Sequence, residues 1–181
     1  LSLLDVMLES GECLMQSHED VQFFLPRAHT IDRSELEAFI KERKVPVTIT
    51  ENHTYDLMQI CDVCLAASGT ATLETAMMEL PTVLLYKVSP ITYGIGKMVV
   101  NLTHVGLPNI VAGKEVIPEL LQGDVSVDAI VNTVLPLLDD LHINQSMRTE
   151  LRGVKEKLGE SGAVNRVAQL IYDLGKERIN E

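Results

Sequence analysis

Basic residues are scarce in this chain: 15 Lys and Arg stand against 26 Asp and Glu, for a formal net charge of -11. Each phosphate contact of a nucleic-acid binder needs a cation, so this balance argues against nucleic acid or an anionic membrane as the partner of this surface. Any anion must be handled locally, by a few placed groups. No apolar run reaches the roughly 18 residues of a membrane span and no signal peptide opens the chain, so the sequence predicts a soluble, cytoplasmic domain. Cysteine is limited to Cys13, Cys61 and Cys64, an odd number that does not suggest a secreted disulfide framework. Cys61 and Cys64 have the spacing of a redox pair, yet they fall where a helix ends and a strand begins, not at a helix start that would stabilise a thiolate. They read as buried structural thiols. His18, His29, His53, His104 and His142 are scattered without paired-ligand spacing, and no acidic pair accompanies them, so no metal or other cofactor is expected. Internal repeats and low-complexity linkers are also missing.

What is present is enough apolar material for one sizeable core: 181 residues with 46% hydrophobic content need no covalent staples. Leu3, Leu4, Val6, Met7 and Leu8 lie on a helix already under way at the first residue, with no preceding strand, which reads as a fragment. A strand follows over 21–25, ending at Pro26, and Asp32 or Ser34 can cap a helix running to about Lys44. Strands are then expected over 45–50, 62–67 and 82–86, with helices over 54–61 and 70–79 between them. This alternation predicts an α/β, Rossmann-like parallel sheet with helices on both faces. Beyond Pro90 the pattern becomes irregular. Thr92 to Asn101 is amphipathic, Leu107 to Glu115 reads as a loop, and three C-terminal helices are expected over 126–138, 142–158 and 162–179.

Chemistry concentrates in Ala67-Ser68-Gly69-Thr70-Ala71-Thr72-Leu73-Glu74, which joins the apolar run Val63 to Ala66 to the next helix. A strand, a tight turn and a helix N-terminus aim several unpaired N–H groups at one point, and the helix dipole adds partial positive charge there. A phosphate can be held without any basic side chain. Taken alone, the turn reads first as an ordinary N-cap. Glu74 tips the balance towards a nucleotide, because a capping box on Ser68 or Thr70 would use position 71 or 73 instead. Its free carboxylate could accept hydrogen bonds from the two hydroxyls of a ribose. In such sheets ligands bind beyond the carboxyl ends of the strands, where Ser68 to Thr72 and Tyr86 to Pro90 fall.

Three further motifs follow in order: Leu80-Pro81-Thr82-Val83-Leu84-Leu85-Tyr86-Lys87-Val88-Ser89-Pro90-Ile91-Thr92-Tyr93, then Leu107-Pro108-Asn109-Ile110-Val111-Ala112-Gly113-Lys114-Glu115, then Val116-Ile117-Pro118-Glu119-Leu120-Leu121-Gln122. With the Ser-Gly-Thr turn, they resemble the C-terminal half of the lipid-A-disaccharide synthases, glycosyltransferases of GT-B type with two facing Rossmann-like domains. The resemblance runs from about Val45 through the final helices. It implies that residues 1–181 form the half that holds a UDP-linked diacylated glucosamine, the donor for a lipid monosaccharide acceptor. Helices 126–181 would pack on the domain, or reach the other half or a second subunit of a homodimer.

By this resemblance, Ser68, Gly69, Thr70, Ala71 and Thr72 would hold the diphosphate and Glu74 the ribose. Asn109 would offer its amide to sugar hydroxyls or phosphate, the alternative being an Asn that stabilises its own turn. Gln122 and Glu119, near an expected helix start, divide evenly between a sugar contact and capping. Lys87 would offset phosphate charge unless it only snorkels. His53 lies where related enzymes receive the nucleobase. The sequence departs from the family in lacking the glycine-rich turn with an arginine that precedes the first helix of this half, and the whole acceptor domain. Glycosyl transfer needs a general base, which the family places on that domain, so no catalytic residue is expected here. Other readings are a UDP-sugar epimerase, a transferase of the peptidoglycan lipid-linked disaccharide, or a non-catalytic α/β interaction domain.

Overall fold

The structure, a computed structural model, describes residues 2–67, 69–88, 104–159 and 162–179. Ser68, Pro90 and the amphipathic segment expected over Thr92 to Asn101 lie outside the described residues. The elements run α1 (Ser2–Ser17), β1 (Phe23–Pro26), α2 (Arg33–Lys41), β2 (Val47–Thr50), α3 (Thr54–Ile60), β3 (Cys64–Ala66), α4 (Gly69–Met77) and β4 (Thr82–Tyr86). They continue with α5 (Leu107–Ala112), β5 (Glu119–Leu121), a 3-10 turn (Gln122–Asp124), α6 (Val127–Asp139), α7 (Leu141–Leu158) and α8 (Ala163–Ile179).

All strand pairing is parallel, as the alternating pattern predicts, but among the described residues it forms two ladders, β1-β2 and β3-β4-β5. β4 is central because both of its faces are apolar. Val83 and Leu85 pack with Leu14 of α1 and Ile130, Val134 and Leu137 of α6. Leu84, pointing the other way, packs with Ala76 of α4 and with Leu151 and Val154 of α7. The period of two along a strand distributes successive side chains to opposite layers, so an unbroken Val-Leu-Leu run requires helices above and below. Each such side chain, fully buried, contributes about 1.5–3 kcal/mol. The β1-β2 ladder is covered by α1 and α2, through Leu8, Leu36 and Ile40.

Local signals set the ends of several elements. Asp32 caps α2 by accepting from the N–H groups of Ser34 and Glu35 at 2.8 and 3.1 Å, and Ser126 caps α6 by accepting from Ala129 N–H at 3.2 Å. α4 ends in a left-handed turn at Glu79 (φ 56°), where Leu80 N–H reaches back to Thr75 O at 3.0 Å.

Two elements differ from the expectation. Residues 107–112 form a helix instead of a loop: Pro108 sits in its first turn and Gly113 closes it at φ 76° in the left-handed region. Pro near a helix start and Gly just past its end are the ordinary boundary signals of a helix. Glu119 does not lie at a helix start; with Leu120 and Leu121 it pairs with Leu84, Leu85 and Tyr86 as a third parallel strand. α6 and α7 pack onto the sheet layers, whereas α8 exposes Val164, Val167, Leu170 and Ile171.

Candidate functional site

The carboxyl edge of the β3-β4-β5 ladder is built by three strand exits. β3 leaves through Ala67 into α4, β4 through Lys87 and Val88, and β5 through Gln122. The register pairs Ala66 with Leu84 and Tyr86 with Leu121, so these exits lie side by side.

Helix α4 presents two different faces. Thr72, Thr75 and Ala76 are buried against the sheet side, while Thr70 is exposed and Glu74 partly exposed one turn further on. Residues four apart on a helix are neighbours, so the Thr70 hydroxyl and Glu74 carboxylate share the outward stripe. Neither side chain has a hydrogen-bond partner among the described residues. Gly69, Thr70 and Ala71 occupy the first turn, where N–H groups lack intrahelical acceptors. Thr72 is different: its hydroxyl donates to Gly69 O at 2.6 Å and its side chain is fully buried. The expectation that this hydroxyl faces a diphosphate is therefore corrected; it is consumed inside the helix.

Asn109 is also fully buried. Its Nδ2 donates to Ile117 O at 2.9 Å and to Glu119 Oε1 at 2.7 Å. Its Oδ1 accepts from the N–H groups of Val116 and Ile117 at 2.7 and 2.9 Å. Two donors and two acceptor sites are the full capacity of a primary amide. The placement of Asn109 as an open amide in a loop is replaced by that of a buried staple, which ties α5 to the chain entering β5.

Glu119 has a side chain only 8% exposed. It accepts from Val105 N–H and Gly106 N–H at 2.9 Å each, besides the Asn109 amide. This carboxylate sits at the amino end of α5, where the dipole favours it. Gln122 begins the 3-10 turn at φ 51°, a left-handed conformation that a non-glycine residue adopts at a cost. Its Oε1 accepts from Val88 N–H at 3.3 Å. Its Nε2 is buried and has no hydrogen-bond partner among the described residues. A buried donor left unpaired costs about 1–3 kcal/mol, which a ligand acceptor would recover.

Lys87 is exposed at the exit of β4, at the same edge. His53 stands apart, before α3 on the β2 side, with its Nδ1 3.1 Å from Asp56 Oδ2 and its side chain 70% exposed. The structure thus gathers Gly69 to Thr72, Lys87, Glu119 and Gln122 along one edge, with Asn109 beneath it and Glu74 on the outer stripe of α4. Among the described residues, no group of three or more His, Cys, Asp or Glu side chains is placed to hold a metal ion. Cys64 is partly buried, and desolvation pushes its thiol up to about 12; desolvation also raises Cys61.

Parallel strands layered between helices, with a glycine-containing turn opening a helix at the carboxyl edge, define a Rossmann-like domain of the kind that forms half of a GT-B glycosyltransferase. Sequence comparison is more specific. A family model described as Lipid-A-disaccharide synthetase matches residues 1–171, and the chain belongs to this family. Among curated relatives, the lipid-A-disaccharide synthase of Geobacter sulfurreducens is 42% identical over 176 residues, covering 97% of this chain and 46% of the relative. That of Geobacter metallireducens is 38% identical over 177 residues, covering 97% and 46%, and that of Syntrophotalea carbinolica 35% identical over 182 residues, covering 98% and 46%. The chain spans slightly less than half the length of these relatives.

Proposed function

We propose that this chain supplies the UDP-sugar site of a lipid A glycosyltransferase, whose complete form transfers a diacylated glucosamine from UDP to a lipid monosaccharide phosphate. The observation that carries the reading is the pairing on α4 of an open N-terminal turn with a carboxylate, Glu74, that has no partner among the described residues and lies one turn further along the outward stripe. The N–H groups of Gly69, Thr70 and Ala71, with Ser68 before them, take the diphosphate, and the Thr70 hydroxyl adds a donor. Glu74 accepts from the ribose hydroxyls. This division matches charge to chemistry: the positive end of the dipole meets the phosphates, and the carboxylate meets neutral hydroxyl donors.

Gln122 contributes its Nε2, unpaired among the described residues, as a donor to the sugar or phosphate, and Lys87 offsets part of the negative charge. Asn109 acts from below, by holding the chain that leads into β5. His53 is the nucleobase-side candidate of the β2 exit. Diphosphate held in this way is a better leaving group, because charge developing on it is met by dipoles already in place. The acceptor site and the base that takes the acceptor proton belong to the other half of the enzyme. The complete protein works at the cytoplasmic face of the inner membrane, where its lipid substrates lie, although no helix among the described residues is long and apolar enough to cross a membrane. The exposed apolar side chains of α8 are the part of the C-terminal helices suited to meet the other half or a second subunit.

Glu74→Ala in the complete protein tests the nucleotide assignment. The loss of UDP affinity should be about 1.5–3 kcal/mol, the range for hydrogen bonds to a charged group. For the 2′-deoxy analogue the loss should be about half as large, because one of the two donors is already gone. Equal losses for both nucleotides would assign Glu74 another role.

A further inference from the structure

We infer that Glu119 is a positioning residue, whose buried carboxylate seats the 104–107 segment against the start of α4 and thereby sets the shape of the donor site; the inference rests on the donor-site reading above. Among the described residues, the three hydrogen bonds to this carboxylate come from one stretch of chain: Val105 N–H to Oε2, and Gly106 N–H and the Asn109 amide to Oε1. His104 Nδ1 lies 4.0 Å from Oε1 as well. Oε1 takes two of these donors and Oε2 one, so most of the acceptor capacity of Glu119 is spent inside the protein and little is left to offer a sugar hydroxyl. Its own backbone is held in β5, against the buried central strand β4. A rigid strand therefore dictates where residues 105 and 106 lie.

The opposite side of that segment faces α4. A Cβ built on Gly69 would lie 3.8 Å from Val105 O and 3.9 Å from Leu107 Cγ, ordinary contact distances. The first residue of α4 is thus layered directly on the stretch that Glu119 holds. Gly106 shows how little slack exists: a Cβ there would lie 3.1 Å from Glu119 Oε1 and 3.3 Å from Leu84 Cδ2. Displacement of the 104–107 segment moves the floor under the phosphate turn.

Glu119→Gln in the complete protein is the most selective perturbation, since shape is kept and only acceptor capacity changes. If the new NH2 replaces Oε2 it confronts Val105 N–H; if it replaces Oε1 it confronts Gly106 N–H and the Asn109 amide. UDP affinity should fall about tenfold, the equivalent of one hydrogen bond to a charged group, and KM for the UDP-sugar should rise with the KM for the lipid acceptor unchanged. Gly106→Ala, which presses on the same carboxylate from the other side, should shift the same parameters. Coupling is reciprocal, so saturating UDP should slow hydrogen exchange of the Val105 and Gly106 amides in the unmodified protein, a readout that needs no variant. A folded Glu119→Gln or Gly106→Ala protein with unchanged UDP affinity would overturn the inference, as would unchanged exchange at both amides under saturating UDP. Absence of UDP binding by the unmodified complete protein is a separate result that overturns the donor-site reading itself.

Discussion

Arg148 of α7 donates from Nη1 to the main-chain carbonyl of Glu79 at 3.1 Å, across 69 positions of sequence. The same guanidinium donates from Nη2 to Cys61 O at 3.3 Å and from Nε to Asn144 Oδ1 at 2.8 Å, while Asn144 Nδ2 reaches Asp62 O at 3.1 Å. One helix therefore satisfies the carbonyls left open where α3 ends and where α4 turns into β4. That fixes the two chain reversals flanking β3 and α4. Arg148→Ala should destabilise the domain by about 1.5–3 kcal/mol, since three acceptors lose a charged donor. Urea unfolding followed by circular dichroism measures it, and a change within about 0.5 kcal/mol would mean that water replaces the guanidinium without loss.

The carboxylate of Glu79 gives α7 a second hold. Arg152 donates to it from Nε and Nη2 at 3.0 and 2.8 Å, and Lys155 lies at 3.4 Å. The Arg152 hydrogen bonds hold its carboxyl below the ordinary value of 4.5, against a smaller opposing effect of burial. Because the folded-state value is the lower one, the stabilisation is present above the unfolded value and lost as pH falls through the folded one. Glu79→Gln should thus cost stability at neutral pH and cost progressively less as the pH drops below 4.5. Parallel unfolding curves at neutral and acidic pH test this; a constant difference between the two proteins would contradict it.

Cys61 and Cys64 should behave as inert thiols. Burial raises both, Cys64 to about 12, with the neighbouring Cys61 and, for Cys61, Asp62 acting in the same direction. In the folded protein at about pH 8, a thiol-disulfide reagent should modify them far more slowly than in urea, because the thiolate is the reacting species. Rapid modification of the folded protein would show that this end of β3 opens readily.

How much of this was legible in the sequence follows from element length and from what each residue can mean. The apolar run from Thr82 to Tyr86 has a single reading as a doubly buried strand, and Asp32 and Ser126 announce their helices. α5 and β5 have six and three residues, too short to show a period, and Pro108 and Gly113 serve a loop as well as a helix. The carboxyl-edge turn was legible because strand, glycine and hydroxyls occur together. The internal roles of Asn109, Thr72 and Glu119 were not, since sequence gives the hydrogen-bonding capacity of a side chain but not the direction in which it is spent. Glu119 in particular reads as a sugar contact or a cap until Val105, Gly106 and Asn109 are seen to converge on it.

On its own, the 181-residue chain should form no disaccharide. A correctly placed donor still needs an acceptor, a general base and a closed cleft to bring the reacting atoms together. Supplying the other half of the enzyme, covalently or in trans, should restore some transfer, and Asn109→Ala in that reconstituted enzyme should depress it by loosening the chain into β5. A radiolabelled transfer assay reports both outcomes. Product from the chain alone would place the catalytic base on this half.

The most direct measurement is an NMR titration of the isolated chain with UDP. A helix N-terminus without the facing wall of the cleft should bind weakly, so the amide resonances of Gly69, Thr70, Ala71 and Thr72 should move and approach saturation only at roughly millimolar UDP. Glu74→Ala should weaken that response without altering the remaining spectrum. If millimolar UDP moves none of the amides from Gly69 to Thr72, the α4 turn is no phosphate cradle and the donor-site account fails.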